Sequence, residues 1–404
     1  SYCNLKISNT DGLTIRANAF VTTENLDLSL DSSTSDGDAN LIVESNSQGT
    51  GSFIVNHNVT HTDKGRAKIQ SYIEEVAGNH FMHFVGATLQ DTTPAYINSV
   101  RLQQFDMNYL DTYAWYWNGS EADTTNYQAW INIWPYDYEV FLGQGLALTN
   151  DVASTDIIEM FGYPKSGDIT FNTHHVVGNT FELISNPYTS AIDFSKFIVN
   201  NALEIFNKFN IYDNTTGNYF QYIPGINSPY IQVGQGFFVE TRPATNSVTF
   251  SNSHKAHSNV AFREVFPNLL DVSVEGGSHG FKDKLYIRFG PEATKYYDEA
   301  IEALKWRSIS DGATMIYSIA DDDSTLAVNV LPDDNLGNVM ISVPVHFECG
   351  EDAEYTFTFS GIESFNGDIE IWLEDLQTEI WYSITPGHNE YPFTASPSDA
   401  KYRF

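Results

Sequence analysis

The strongest constraint on this chain is the spacing of its large apolar side chains. Over residues 1 to about 60, Leu5/Ile7, Leu13/Ile15, Leu26/Leu28/Leu30, Leu41/Val43 and Phe53/Val55 each stand two apart. Successive side chains of a strand point to opposite faces, so this spacing predicts strands with one buried face. Turn-rich pieces such as Asn9-Thr10-Asp11-Gly12 and Ser35-Asp36-Gly37-Asp38 separate them. A strand every ~8–15 residues suits solenoid rungs or a tight sandwich. The first is the preferred reading, a β-solenoid-like stub over 1–70. Rungs need neighbours across their open end, so further rungs are expected to precede Ser1.

Residues 71–258 carry an internal repeat. Gly143-Gln144-Gly145-Leu146-Ala147-Leu148 recurs as Gly234-Gln235-Gly236-Phe237-Phe238-Val239. Upstream, His80 to Gly86 parallels Thr180 to Asn186, and Tyr113 to Trp117 echoes Phe209 to Tyr212. Two related β-units are expected, with glycine letting the backbone approach closely at each turn. Residues 259–404 read as a β-sandwich. Its strands are placed at Leu269–Val274, Leu285–Phe289, Leu326–Val330, Val339–Phe347, Tyr355–Phe359 and Ile369–Leu373, with one helical patch at Thr294–Leu304. The predicted class is all-β: a solenoid-like stub followed by tandem β-sandwich modules.

Composition removes several functions. Asp and Glu number 52 against 20 Lys and Arg, a net charge of −32. A nucleic-acid binder needs a basic footprint to neutralise phosphates, and an anionic membrane would repel this surface. Charged residues make up only 18% of the chain and apolar patterning is dense, which argues against disorder. No apolar run is long enough for a transmembrane helix, so no membrane insertion is expected. Cys3 and Cys349 are the two cysteines; they are too few for a disulfide scaffold or a four-cysteine zinc site, and are expected to stay single.

No catalytic residue is assigned. Gly276-Gly277-Ser278-His279-Gly280 fits the G-x-S-x-G pattern, but strands flank it on both sides, so a hairpin loop is expected instead of a nucleophile elbow. His80/His83 and His254/His257 have a spacing that shares a face on a helix but not on a strand, and no third ligand stands near. Asp36 and Asp38, Asp321, Asp322 and Asp323, and Asp333-Asp334 sit in turn-like sequence, where carboxylates and carbonyls can converge on Ca²⁺, the one candidate ion. Turn aspartates also bond their own backbone. Tyr113, Trp115 and Trp117 alternate along one strand face, which can stack on sugar rings or pack into the core.

An ordered set of motifs in the second half resembles a known family. It comprises Ile184-Ser185-Asn186-Pro187-Tyr188, Val233-Gly234-Gln235-Gly236-Phe237, Leu326-Ala327-Val328-Asn329-Val330, Ile371-Trp372-Leu373-Glu374-Asp375, Tyr391-Pro392-Phe393-Thr394-Ala395 and the ending Tyr402-Arg403-Phe404. These resemble the β-modules upstream of the sorting domain in Bacteroidota type IX secretion cargo and cell-surface proteins. The opening, Cys3-Asn4-Leu5-Lys6-Ile7, is similar to β-solenoid stretches of the same proteins. The resemblance implies export by the type IX machinery to the outer cell surface or beyond, with a sorting domain after Phe404, and supplies no catalytic residue.

Two functions of different class follow as expectations. One is a non-catalytic structural or adhesive surface protein meeting other surface proteins or glycans. The other is a carbohydrate-binding accessory region of a larger exported polysaccharide-acting enzyme.

Overall fold

The computed structural model describes residues 2–8, 12–29, 39–46, 49–62, 65–73, 83–90, 113–117, 130–132, 141–149, 156–173, 180–213, 218–222, 229–243, 245–258, 268–291, 293–298, 301–308, 312–365 and 369–404. The fold is all-β, with the α-helix Phe194–Asn201 set among many short strands. Contacts divide the chain into two compact units. One comprises Ser1–Ile211 with Pro229–Ala261, the other Tyr212–Ser228 with Phe262–Phe404.

In the first unit the alternating segments pair in parallel. Tyr2–Ile7 lies beside Phe20–Leu28, which lies beside Ser52–Val55 and Val59–His61. Leu13–Ile15, Leu41–Val43 and Ala67–Ile73 form a second parallel set. Parallel neighbours cannot be joined by a tight turn, so the chain must travel round between them. The alternation sends Ile15, Leu26, Leu28, Leu41, Val43 and Ile69 into one core. Asn40 is buried with them and donates from Nδ2 to the Ile7 carbonyl at 3.0 Å. Leu30 lies outside the described residues.

The repeated segments take equivalent places. In the first copy the sheet order is His83–Val85, Leu146–Thr149, Tyr113–Trp117, Trp130–Asn132. In the second, Thr180–Ser185 pairs with Gly236–Thr241, which pairs with Ile205–Asp213. The copies clasp each other: Val85 bridges to Gln235, and Gln144 bridges to Ile184. The amide of Gly86 donates to the Gly234 carbonyl at 2.9 Å, and that of Ser185 to the Gly143 carbonyl at 2.8 Å. Each glutamine side chain closes its own turn, Gln144 Oε1 accepting from Phe141 N at 3.2 Å and Gln235 Oε1 from Gln232 N at 2.9 Å.

The closeness of this clasp explains its second glycine. A Cβ on Gly236 would stand 2.8 Å from the Phe84 carbonyl carbon and 3.0 Å from the Val85 nitrogen, both backbone atoms that cannot swing away. Gly236→Ala is expected to lower stability by about 1–3 kcal/mol, the usual cost of overpacking. Denaturant midpoints of the parent and the variant measure this, and equal midpoints would show that the neighbouring backbone gives way without cost.

The helix Phe194–Asn201 was not expected, although its signals are in the sequence. Asp193 caps it by accepting from Ser195 N at 3.0 Å, and Phe194, Phe197, Ile198 and Asn201 form its buried stripe. Phe194 and Phe197 pack with Phe209, Phe237 and Phe250 at centroid distances of 4.6–6.4 Å.

The second unit is built on an eight-stranded sheet. Its order is Val345–Glu348, Met315–Ile319, Thr325–Pro332, Lys282–Gly290, Leu269–Gly276, Ala353–Ser360, Glu390–Ala395, with Ala303–Leu304 also on Thr325–Pro332. One pair, Lys282–Gly290 with Thr325–Pro332, is parallel. The hairpin Ile371–Asp375/Ile380–Ile384 contributes Leu373 and Ile384 to the core under this sheet, alongside Val272, Leu285, Phe357 and Phe393. Phe404 closes that core, its ring 4.7 Å from Phe357 and 5.0 Å from Phe393.

Two expectations for this unit are corrected. Thr294–Leu304 shows no helix among its described residues, and Ala303–Leu304 is a strand. The cause is tertiary: the buried Glu302 carboxylate accepts from Val330 N at 2.9 Å and Asp298 N at 2.7 Å, pinning the segment to a neighbouring strand. Burial raises that carboxyl to about 7, outweighing the two N–H donors. The strand placed at Val339–Phe347 is only Val345–Glu348. Before it, Leu336, Ile341 and Val343 lean on the core from irregular chain.

Candidate binding cleft

A cleft of about 630 Å³ lies in the second unit, within the range of ~300–1,000 Å³ usual for small-ligand sites. Sheet residues including Leu270, Phe289, Phe357 and Phe359 form its apolar floor. One wall is the irregular stretch 336–345 and the other is the 371–384 hairpin. Its mouth is unusual for a soluble surface. Val339 (57% exposed), Met340 (79%), Trp372 (48%), Leu376 (54%) and Trp381 (52%) all line it. Scattered exposed apolar residues are ordinary, but several large ones gathered on one cleft mark an interaction face.

The hairpin's register explains how the tryptophans come out together. Trp372 stands opposite Ser383, and Glu374 opposite Trp381. Directly opposite residues share a face, so Trp372, Glu374, Trp381 and Ser383 occupy one side. The two tryptophans are diagonal neighbours, roughly 7–8 Å apart by sheet geometry. Leu373 and Asp375 point the other way and are buried. Trp372 Nε1 donates to Glu370 Oε2 at 3.3 Å.

The hairpin is held from beneath. Asp375 is fully buried and accepts from Arg403 Nε at 2.9 Å and Arg403 NH2 at 2.7 Å, in a bidentate pair. Tyr391 OH donates to the same carboxylate at 2.9 Å, and Gln377 N at 3.0 Å. Arg403 NH1 donates onward to the Thr394 carbonyl at 2.6 Å. Burial alone would raise the Asp375 carboxyl, but the hydrogen bonds from Arg403 and Tyr391 outweigh it and hold the group at about 2.

Residues 207–404 match a family described as a domain of unknown function (DUF8693). This stretch is similar to that family and contains the whole cleft. No curated protein and no solved structure matches the chain.

The DUF8693-like segment also holds the G-x-S-x-G sequence. It forms the turn of a hairpin between Leu269–Gly276 and Lys282–Gly290, with Glu275 opposite Lys282. Ser278 Oγ donates to Glu351 Oε2 at 2.8 Å, and Ser278 N donates to Glu351 Oε1. The hydroxyl is thus a donor to a carboxylate on an exposed turn. These two bonds hold Glu351 below the usual carboxylate range.

Asp321, Asp322 and Asp323 form an exposed turn in the same segment. Asp322 accepts from Tyr297 N and Ser324 N, each at 3.2 Å, and the Ser324 hydroxyl is the main cause of its lowered pKa. Asp323 adopts a φ of 66°. Among the described residues, no group of three or more His, Cys, Asp or Glu is placed to hold a metal ion. Asp36, Asp38 and His80 lie outside the described residues.

His83 is buried on a strand. His254 pairs with Asn200 Nδ2 at 2.9 Å and accepts from Ser251 N at 3.0 Å, and burial pulls its pKa down to about 4. His257 bonds Thr22 Oγ1 and Ser52 Oγ, both at 2.8 Å. Both of these rings are therefore engaged in holding the fold of the first unit. Cys3 and Cys349 are free thiols.

Tyr113, Trp115 and Trp117 lie on the strand Tyr113–Trp117, which is flanked by Trp130–Asn132 and Leu146–Thr149. What their side chains meet lies outside the described residues. In the sequence, Trp372 stands out only as a member of the Ile371–Asp375 motif. Its alternation with Leu373 was readable, but the Ile380–Ile384 strand that brings Trp381 beside it was not foreseen.

Proposed function

We infer that the chain is a non-catalytic structural or adhesive protein of the outer cell surface or exterior, exported through the type IX pathway. The observation that carries this reading is the cleft mouth, where five large apolar side chains stand in solvent, Trp372, Leu376 and Trp381 on the hairpin and Val339 and Met340 on the facing stretch. Keeping such a face exposed favours association and must serve a contact. The motif resemblance supports export, and the strongly acidic composition suits a soluble surface. No described helix is long and apolar enough to cross a membrane.

Two measurements test the reading. Protease added to intact producing cells is expected to remove the protein; full protection together with recovery in the cytoplasm overturns the location. Beads coated with the chain are expected to adhere to cell-surface material, and a Met340→Ser/Leu376→Ser variant with unchanged denaturant midpoint is expected to lose at least half of that adhesion. Equal adhesion by both would remove the cleft from the function.

A further inference from the structure

We propose that the outward face of the 371–384 hairpin binds a neutral glycan, with Trp372 and Trp381 stacking on two sugar rings and Glu370 and Glu374 accepting hydroxyl hydrogen bonds. This deepens the adhesive reading and rests on the cleft being the contact face.

The side-chain set selects the ligand. A pyranose offers an apolar C–H face and a rim of hydroxyls. An indole offers a flat apolar body that can cover the first, and a carboxylate accepts from the second. Here the two kinds alternate on one face, because the register sets Glu374 opposite Trp381 and places Trp372 on the diagonal. Glu370 spends one oxygen on the 3.3 Å bond from Trp372 Nε1. Its second oxygen, both Glu374 oxygens and the Trp381 N–H have no protein partner among the described residues, so donors and acceptors remain for a polyol.

Charge narrows the class further. Residues 369–384 contain Glu370, Glu374, Asp375 and Glu379 and no lysine or arginine. Stretch 336–345 across the cleft contributes no lysine or arginine either. A sulfated or uronic-acid glycan would meet only like charge, which costs binding. A protein partner fits less well, since the centres of protein interfaces are depleted in Glu, and here glutamates are interleaved with the aromatics. A cationic ligand could use both the indole faces and the carboxylates, so it is made an outcome of the test.

The hairpin is also pre-ordered. Its inner face is locked into the core by Leu373, Ile384 and the Asp375–Arg403 pair, so its aromatic face loses little freedom on binding.

The experiment uses the full chain and soluble hexaoses of cellulose, xylan, laminarin and mannan as probes, with titration calorimetry and tryptophan fluorescence as readouts. At least one neutral hexaose is expected to bind. Trp372→Ala and Trp381→Ala are each expected to weaken it at least tenfold, and the tryptophan-to-phenylalanine versions to retain more than the alanine versions. Tyr296→Ala, which removes an exposed aromatic outside the cleft, is expected to leave binding unchanged. Denaturant midpoints of all variants confirm that the fold is kept. Affinity is expected to change less than twofold between 50 and 500 mM salt, since no ion pair is formed. Binding to none of the neutral probes overturns the proposal, as does binding that survives Trp372→Ala/Trp381→Ala. Salt-sensitive binding of a lysine-rich peptide in place of the hexaoses overturns it in favour of a cation. Cell-surface exposure is read by a different assay, so a missing glycan and a wrong location give separate results.

Discussion

Arg403→Leu is expected to destabilise the C-terminal unit by about 3–5 kcal/mol, the usual cost of breaking a buried ion pair from one side. The substitution strips Asp375 of both guanidinium bonds and leaves a fully buried carboxylate with Tyr391 and Gln377 as donors. Amide exchange of the strands Ala353–Ser360 and Glu390–Ala395 reads the loss, and exchange rates equal to the parent's would refute it. The pH dependence has a definite sign. The folded Asp375 carboxyl sits at about 2, below the ~4 of an unfolded aspartate. Its contribution is therefore complete above about pH 4 and is lost as pH falls through about 2. Acid titration of the parent should show this loss, and Arg403→Leu should show less of it.

Lys305→Met is expected to cost a similar ~3–5 kcal/mol, for the same physical reason at a second buried pair. Lys305 and Asp283 are both 3% exposed at their side chains and in direct contact. Asp283 Oδ2 also accepts from Ile316 N at 2.7 Å. Desolvation raises the Asp283 carboxyl even with the lysine beside it. Without Lys305 the folded state holds a proton that the unfolded state releases above about pH 4, so the variant weakens as pH rises. It should be more stable at pH 5 than at pH 8. Asp283→Asn/Lys305→Met removes both charges and keeps a carbonyl for Ile316 N, so it is expected to recover at least half of the loss. A double variant as unstable as Lys305→Met alone would show that lost packing, not the stranded charge, sets the cost.

Local rules carried far in this chain, and their failures share a cause. Leu26, Leu28, Leu41 and Val43 are buried where alternation placed them, because one buried face needs only a period of two. The Gly-Gln-Gly repeat was legible as sequence, and its second glycines, Gly145 and Gly236, sit where Leu183 and the Phe84–Val85 backbone leave no room for a side chain. The Thr294–Leu304 patch misled because helix propensity is a weak prior, and a buried carboxylate serving another strand's amide overrides it. The cleft was out of reach for the same reason. Nothing local to Trp372 tells that Ile380–Ile384 folds back beside it, or that a gap remains between that hairpin and stretch 336–345.

The reciprocal bridges of Val85 with Gln235 and Gln144 with Ile184 bear on how such a duplication can persist. Neither half owns the hydrogen-bonding partners that finish its own border; each borrows them from its sibling. Excised singly, a half would carry orphaned amides and carbonyls, and a second molecule's matching half would be the nearest supply. The tandem arrangement thus works as an internal dimer, and splitting it would invite exchange between chains.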